Sequence, residues 1–240
     1  MECYSRKTAT FLILGHNCTR HCAFCNIRKG QPEPLAPDEP QRVAQAVAAL
    51  KLKHAVVTSV TRDDLPDGGA GQFAAVIKAI KHLNPGTSVE VLIPDFQGDL
   101  QALRQVGDAG PDVINHNVET IPRLYATVRP EADYQRSLTL LARVKQLNPD
   151  ILTKSGVMVG LGENEDELVQ VFRDLRSAAC AALTIGQYLA PSAHHHRVAV
   201  YITPTQFARY KAIADDLGFR HVTAGPFVRS SYLAAEALSD

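Results

Sequence analysis

Several features are missing from this sequence, and each absence narrows what it encodes. Across 240 residues, 25 Lys and Arg offset 25 Asp and Glu. With no surplus of positive charge, nothing points to nucleic acid as a general partner. No apolar run approaches the roughly 18 residues that a membrane span requires, so no membrane association is expected. The opening stretch, Met1 to Thr8, is polar and has no signal-peptide-like apolar core, which predicts a cytoplasmic location. No fixed-period repeat, low-complexity tract or interdomain linker interrupts the chain, so a single domain over residues 1–240 is expected. What remains is an ordinary globular composition, 45% hydrophobic and 21% charged.

Cysteine is sparse but concentrated. Five occur, at Cys3, Cys18, Cys22, Cys25 and Cys180, and three of them fall within eight residues. An odd, clustered set does not read as a disulfide framework. Clustered thiols without a secretion signal fit a reducing compartment and a metal site. Cys180, set among Ala178, Ala179, Ala181 and Ala182, reads as a buried free thiol.

Short apolar runs rich in β-branched residues alternate with longer amphipathic stretches. Strands are predicted at Thr10 to Leu14, Ala55 to Val60, Ser88 to Ile93, Asp112 to Val118, Leu152 to Leu161 and Ala182 to Leu189, with a shorter one at His221 to Ala224. Helical spacing of apolar residues covers Pro40 to Leu52, Gln72 to Leu83, Leu100 to Val106, Asp133 to Leu147, Glu165 to Ala178 and Pro204 to Leu217. Thr203 is the expected N-cap of the last, with Pro204 at its first position. Six strand–helix units in series predict a parallel sheet with helices outside. Six are too few for a closed eight-fold barrel, which favours an α/β partial (β/α)6 TIM-like barrel. A doubly wound sheet is the alternative, but no Gly-x-Gly-x-x-Gly turn follows the first strand.

The thiols at Cys18, Cys22 and Cys25 follow the first strand directly, spaced Cys-x3-Cys-x2-Cys. In parallel α/β folds the C-terminal ends of strands host active sites. Three thiolates can hold three corners of a [4Fe–4S] cube and leave the fourth iron open to a small molecule. A structural zinc completed by His16 or His21 is one alternative. An electron-transfer ferredoxin is another, although that would normally show four cysteines.

The loop resembles that of radical S-adenosylmethionine enzymes. In that superfamily the amino and carboxylate groups of the cofactor fill the open iron position, and cleavage of its sulfonium yields a 5′-deoxyadenosyl radical. Phe24, beside Cys25, would shield the cluster. Further stretches are similar to the lipoyl synthase family: Arg6 to Gly15, Val57 to Ala70, Glu90 to Phe96, Asn115 to Thr120, Thr153 to Glu163, Gly186 to Leu189, Gly225-Pro226 and Arg229-Ser-Ser-Tyr232. They are colinear over nearly the whole chain.

The resemblance implies insertion of two sulfur atoms, at C6 and C8 of an octanoyl chain amide-linked to a lysine of a lipoyl carrier domain. The carrier would be an E2 subunit or the glycine cleavage H protein, and the electron donor flavodoxin or ferredoxin. A second, auxiliary [4Fe–4S] cluster supplies the sulfur. In the family a Cys-x4-Cys-x5-Cys motif and a C-terminal serine hold that cluster. Cys3 matches the third of those cysteines and Ser230 the serine; for Ser230 alone, a capping role is the plainer reading. The chain starts inside the last spacer of that motif, so residues 1–8 read as a remnant of the auxiliary segment and 225–240 as its C-terminal counterpart. Either the start is an internal methionine of a longer frame, or the sulfur donor has been lost from a shortened relative that still cleaves S-adenosylmethionine; the presence of Cys3 and Ser230 favours the first. Leu233 departs from the histidine often found after that Arg-Ser-Ser-Tyr.

Asn117 and Glu119, at the end of the fourth strand, are expected to bind the cofactor, and Thr58 in the second strand is assigned with them. The alternative for Glu119 is a buried structural carboxylate paired with a cation. Lys154, in the fifth strand, must meet a carboxylate or the cofactor, because burying an unpaired ammonium is costly. Arg62, Asp63 and Asp64 form either a salt-bridged turn or a substrate contact. Gly160 and Gly162 would let a ligand approach the backbone. Arg229 is expected near the auxiliary cluster or a substrate carboxylate. The His194-His195-His196 run is read as solvated rather than metal-binding.

Overall fold

The computed structural model describes residues 6–238. Seven parallel strands form one sheet in the order β1 (Thr8–Ile13), β4 (His54–Ser59), β5 (Ser88–Leu92), β6 (Val113–Asn115), β7 (Leu152–Val159), β8 (Ala182–Gln187) and β9 (His221–Gly225). A separate parallel pair, β2 (Asn17–Cys18) and β3 (Arg28–Lys29), brackets the cysteine loop. The main strands lie side by side in chain order, with no reversal of direction along the sheet. A doubly wound sheet requires such a reversal, so the order identifies the winding of a barrel. The barrel is partial, beginning at β1 and ending at β9.

Helices α1 (Glu39–Ala49), α2 (Ala70–Leu83), α3 (Leu100–Asp108), α4 (Tyr125–Val128), α5 (Tyr134–Leu147), α6 (Glu165–Ser177) and α7 (Pro204–Asp216) connect the strands. Their ends follow local chemistry. Asp99 caps α3, Asp133 caps α5, and Asn164 and Glu167 form a reciprocal capping box on α6. Thr203 accepts from the Gln206 amide with Pro204 in the first turn, as expected.

Strand alternation separates two environments. Outward residues such as Ala55, Val57, Val89, Val91 and Ile114 pack with α1–α3 in one cluster. Val157, Val159, Leu183, Ile185 and Val222 do the same in a second cluster beneath α6 and α7. The inward faces are not the continuous apolar surface that the strand runs suggest. His54, Glu90, Asn115 and Lys154 all point into the lumen and are buried. Lys154 Nζ lies 3.0 and 3.2 Å from the two Glu90 carboxylate oxygens, and Asn115 Nδ2 donates to the same carboxylate at 3.1 Å. Burial alone would raise the Glu90 carboxyl; Lys154 and His54 hold it low.

The first residues of β6, β7 and β8, Val113, Leu152 and Ala182, meet Ala237 of the C-terminal 3-10 turn (Ala234–Leu238). This turn closes the floor of the lumen.

β6 is shorter than the predicted 112–118. Its ladder with β7 stops at Asn115–Lys154 and resumes as a bridge between Glu119 and Val157. That leaves one more residue on the β6 side, a bulge of the kind that re-aims side chains beside active sites.

Candidate active site

The cysteine loop leaves β1 through two consecutive left-handed residues, Leu14 (φ 70°) and Gly15 (φ 95°). Their turn is held by carboxylates. Glu39 accepts the Leu14 amide at 3.2 Å, and Glu33 accepts the His16 and Asn17 amides at 3.1 and 3.4 Å. A Cβ on Gly15 would fall 2.5 Å from a Glu33 carboxylate oxygen, so this corner needs glycine.

Beyond it, the loop is fastened along its length. The Thr19 amide and hydroxyl both donate to the Thr61 carbonyl at 3.1 Å. Arg20 grips Asp63 with two nitrogens, at 2.7 and 3.0 Å, and Asp95 with one at 2.5 Å. His21 meets Glu131 through its amide and its ring. The Ala23 amide donates to Val128, and its carbonyl accepts from His196.

Cys18, Cys22 and Cys25 are free thiols that line one cavity of about 340 Å³ at the C-terminal mouth of the barrel. Cys18 Sγ accepts the Thr61 amide at 3.3 Å. Burial pushes the Cys22 thiol up to about 11, against the pull of Arg129. Among the described residues, no three His, Cys, Asp or Glu side chains are grouped around a point that would take a single metal ion. The thiols line a shared wall, as suits a cube that presents a different iron to each thiolate.

Thr58, Asn117 and Glu119 line the same cavity, bringing three of the sequence-predicted cofactor residues together with the thiols. Asn117 Nδ2 donates to Glu119 at 3.1 Å, while its buried Oδ1 has no partner among the described residues. Burial raises the Glu119 carboxyl, opposed by Arg129 and Asn117. Glu119 itself sits in a left-handed conformation (φ 64°), a strained geometry for a non-glycine residue. Gly156 makes room for the pair: a Cβ there would lie 2.8 Å from both Asn117 Oδ1 and Thr184 Oγ1.

Arg129 is a wall residue that sequence reasoning missed. It is buried, donates to the Asn117 carbonyl at 2.9 Å and lies over the Tyr125 ring, yet its Nε has no partner among the described residues. An arginine before a proline in a loop has no local signature, and only the folded cavity shows where it faces.

A second cavity of about 280 Å³ adjoins the first. Phe24, Leu92, Asn117 and Glu119 line both, and Gly156, Gly186, Arg229 and Ser230 line the second alone. Ser230 therefore sits across the shared wall from the thiols. Cys3, the other expected auxiliary ligand, lies outside the described residues.

The remaining expectations resolve as follows. Of the two partners open to Lys154, the structure shows the Glu90 carboxylate, and Lys154 lines neither cavity. The close approach at Gly160 is made by the chain itself, not by a ligand. A Cβ there would lie 2.3 Å from Gln187 Nε2 and 2.4 Å from the Val200 carbonyl, where a strap over β7 and β8 is tied down. Arg62 forms a salt-bridged turn with Asp64 at 2.9 Å, whereas Asp63 turns to Arg20. Arg229 donates to the carbonyls of Val228 and Gln187. In the histidine run, His195 meets Ser192 and His196 meets the Leu161 carbonyl. Cys180 is fully buried, and burial pushes its thiol up to about 12.

A parallel partial barrel with three thiols at the mouth of its first strand defines a radical S-adenosylmethionine protein. The family model described as the radical SAM superfamily matches residues 12–175. Solved structures share the fold at low identity. Methylornithine synthase aligns with a TM-score of 0.65 at 12% identity, covering 91% of this chain and 72% of that one. The Escherichia coli coproporphyrinogen III oxidase aligns at 0.63 and 14%, covering 89% and 53%.

Sequence relatives are nearer. The lipoyl synthase of Caldanaerobacter subterraneus subsp. tengcongensis is 61% identical over 99% of this chain and 84% of its own length. That of Alkaliphilus metalliredigens is 59% identical over 99% and 82%, and that of Haemophilus influenzae 53% over 97% and 73%. The chain belongs to the lipoyl synthase family.

Membership in the superfamily implies a [4Fe–4S] cluster and S-adenosylmethionine. The residues present fit both. Three free thiols share one wall, and a buried acceptor on Asn117 and a buried donor on Arg129 await polar partners within it.

Proposed function

We propose that this chain catalyses the lipoyl synthase reaction, inserting sulfur at C6 and C8 of a protein-bound octanoyl-lysine. The observation that carries this reading is the gathering of three free thiols, Thr58, Asn117, Glu119 and the under-partnered Arg129 in one cavity. Cys18, Cys22 and Cys25 hold the radical cluster. When bound, the cluster and S-adenosylmethionine supply a radical able to remove hydrogen from an unactivated carbon. Asn117 Oδ1 accepts a hydroxyl or amino hydrogen of the cofactor, and Arg129 Nε donates to an anionic group. Glu119, already bonded to Asn117, fixes the amide so that its oxygen faces the cavity. Phe24, between the two cavities, keeps water from the reacting carbon.

The second cavity takes the octanoyl chain, with Met158, Tyr188 and Leu189 as its apolar lining. Ser230, and Cys3 with it, contribute to an auxiliary [4Fe–4S] cluster that gives up sulfur. A serine oxygen is a weak iron ligand, and weak ligation suits a cluster that is consumed. On this reading residues 1–240 form one radical SAM domain, with 1–8 and 225–240 serving the auxiliary cluster. The substrate is the octanoylated lipoyl domain of an E2 subunit or the glycine cleavage H protein. Flavodoxin or ferredoxin supplies electrons, and the reaction is cytoplasmic.

The test is anaerobic reconstitution with iron and sulfide, followed by turnover of an octanoyl-lysine peptide with S-adenosylmethionine and a reductant. 5′-Deoxyadenosine is expected, with lipoyl peptide beside it in preparations that carry two clusters, and Cys22→Ala should abolish both. Deoxyadenosine without lipoyl product from a two-cluster preparation would leave the radical step standing and overturn sulfur insertion. Zinc uptake without sulfide would overturn the whole reading.

A further inference from the structure

The cysteine loop carries one charged side chain between Cys18 and Cys22 that is almost fully buried. Arg20 is 4% exposed and reaches Asp63 and Asp95. Asp95 is 1% exposed and lies 75 residues further along the chain, just past the end of β5. Both of its oxygens are engaged. Oδ1 accepts from Arg20 at 2.5 Å and from the Gln97 amide at 3.1 Å, and Oδ2 accepts from Arg136 of α5 at 3.1 Å.

The turn that aims this carboxylate is strained. Phe96 (φ 46°), Gln97 (φ 51°) and Gly98 (φ 85°) are left-handed in succession, and two of the three pay the Cβ penalty of that region. The surroundings hold the turn in place. The Phe96 ring is buried edge-on against Phe73, with centroids 6.4 Å apart. Gly68 yields space, since a Cβ there would come 2.9 Å from that ring. The Asp95 and Phe96 carbonyls each accept an amide at 2.9 Å to close the turn. Strain that packing over-determines in this way marks a position with a task. Arg20 and Asp95 both line the cavity of the three thiols.

We propose that Asp95 is a positioning residue for the radical cluster, acting through Arg20 to set where the Cys18–Cys22 arm of the loop stands. This rests on the reading that those thiols hold the cluster. A planar guanidinium forked between two carboxylates fixes orientation as well as distance, which a lysine cannot reproduce. Small displacements of a reacting group are costly in this setting.

The test compares wild type, Arg20→Lys, Asp95→Asn, Arg20→Gln and the double Arg20→Gln/Asp95→Asn. Each is reconstituted anaerobically and examined by electron paramagnetic resonance of the reduced cluster, with and without S-adenosylmethionine. Unfolding midpoints of the apo chains are measured in parallel. Arg20→Lys, which keeps the charge, should have an apo midpoint above that of Arg20→Gln yet broaden the cluster signal and weaken cofactor affinity about tenfold. The double variant should be no worse than Arg20→Gln, because Asp95 acts through that residue. A wild-type signal and affinity in Arg20→Lys would overturn the proposal, as would additive losses in the double variant. Should Asp95→Asn not fold, Asp95→Glu takes its place in the single and double variants. Failure of wild type to take up iron and sulfide would instead overturn the underlying reading.

Discussion

The two cavities share four wall residues and differ in how the rest of their walls are held. On the thiol side the loop is tied to β4, β5 and α4 by backbone and buried ionic bonds, and its corners are set by carboxylates on Leu14, His16 and Asn17. On the C-terminal side Arg229 is exposed and its guanidinium donates to carbonyls of its own rim, and the neighbouring Phe227 is 82% exposed. A resident cluster needs ligands whose spacing does not drift, whereas a site that admits a lysine-borne acyl chain needs an open rim. The comparison yields predictions of decreasing size.

The largest concerns the lumen floor beneath both cavities. Lys154→Ala would leave the Glu90 carboxylate buried without its cation, at a cost of about 3–5 kcal/mol in urea unfolding of the apo chain. Replacing the pair by Leu and Met should recover most of that loss. A single variant within 1 kcal/mol of wild type, by the same scale, would remove the ion pair from the account.

The second concerns His116, which stands behind the thiol wall. One ring nitrogen, Nδ1, lies 2.9 Å from the Ile93 carbonyl, and the other, Nε2, lies 3.0 Å from the Ser137 hydroxyl oxygen. Burial and the nearby Arg129 push the ring from 6.5 down to about 4. Between those values the unfolded chain binds a proton that the folded chain refuses. Stability should therefore fall as pH drops from 6.5 toward 4, by about 3 kcal/mol, and this component should level out below that. His116→Gln should lose this component of the pH dependence; an unchanged slope would contradict the assignment.

The third separates the cavities at their common wall. Gly156→Ala would press a methyl group onto Asn117 and Thr184, costing about 1–3 kcal/mol and weakening S-adenosylmethionine binding. Unaltered cofactor affinity would mean that Asn117 is not a cofactor contact.

The smallest effect on folding is expected on the open side. Ser230→Ala should change apo stability by no more than about 0.5 kcal/mol while abolishing sulfur insertion and sparing deoxyadenosine formation. Loss of both products would place Ser230 in the radical step instead.

Much of this architecture was legible in the sequence, for definable reasons. The seven strands announce themselves because their outward residues are apolar and β-branched. The thiol loop announces itself because its three cysteines are local in sequence. The lumen did not, since alternation hides Glu90, Asn115 and Lys154 among apolar neighbours. The Arg20–Asp95 pair joins residues 75 apart and leaves no local pattern. The bulge after Asn115 is hidden because an apolar valine at 118 continues the strand pattern. The crowding at Gly160 is hidden because a strap folding back from residue 200 is invisible to spacing.

The central claim is that Cys18, Cys22 and Cys25 hold three irons of a cluster whose fourth iron takes S-adenosylmethionine. The most direct test is a titration of the reduced, reconstituted chain with S-adenosylmethionine, followed by electron paramagnetic resonance. The account predicts a shifted cluster signal that saturates with one cofactor per chain and is missing in Cys18→Ala, Cys22→Ala and Cys25→Ala. A cluster signal indifferent to the cofactor, or one that survives loss of these thiols, would contradict it.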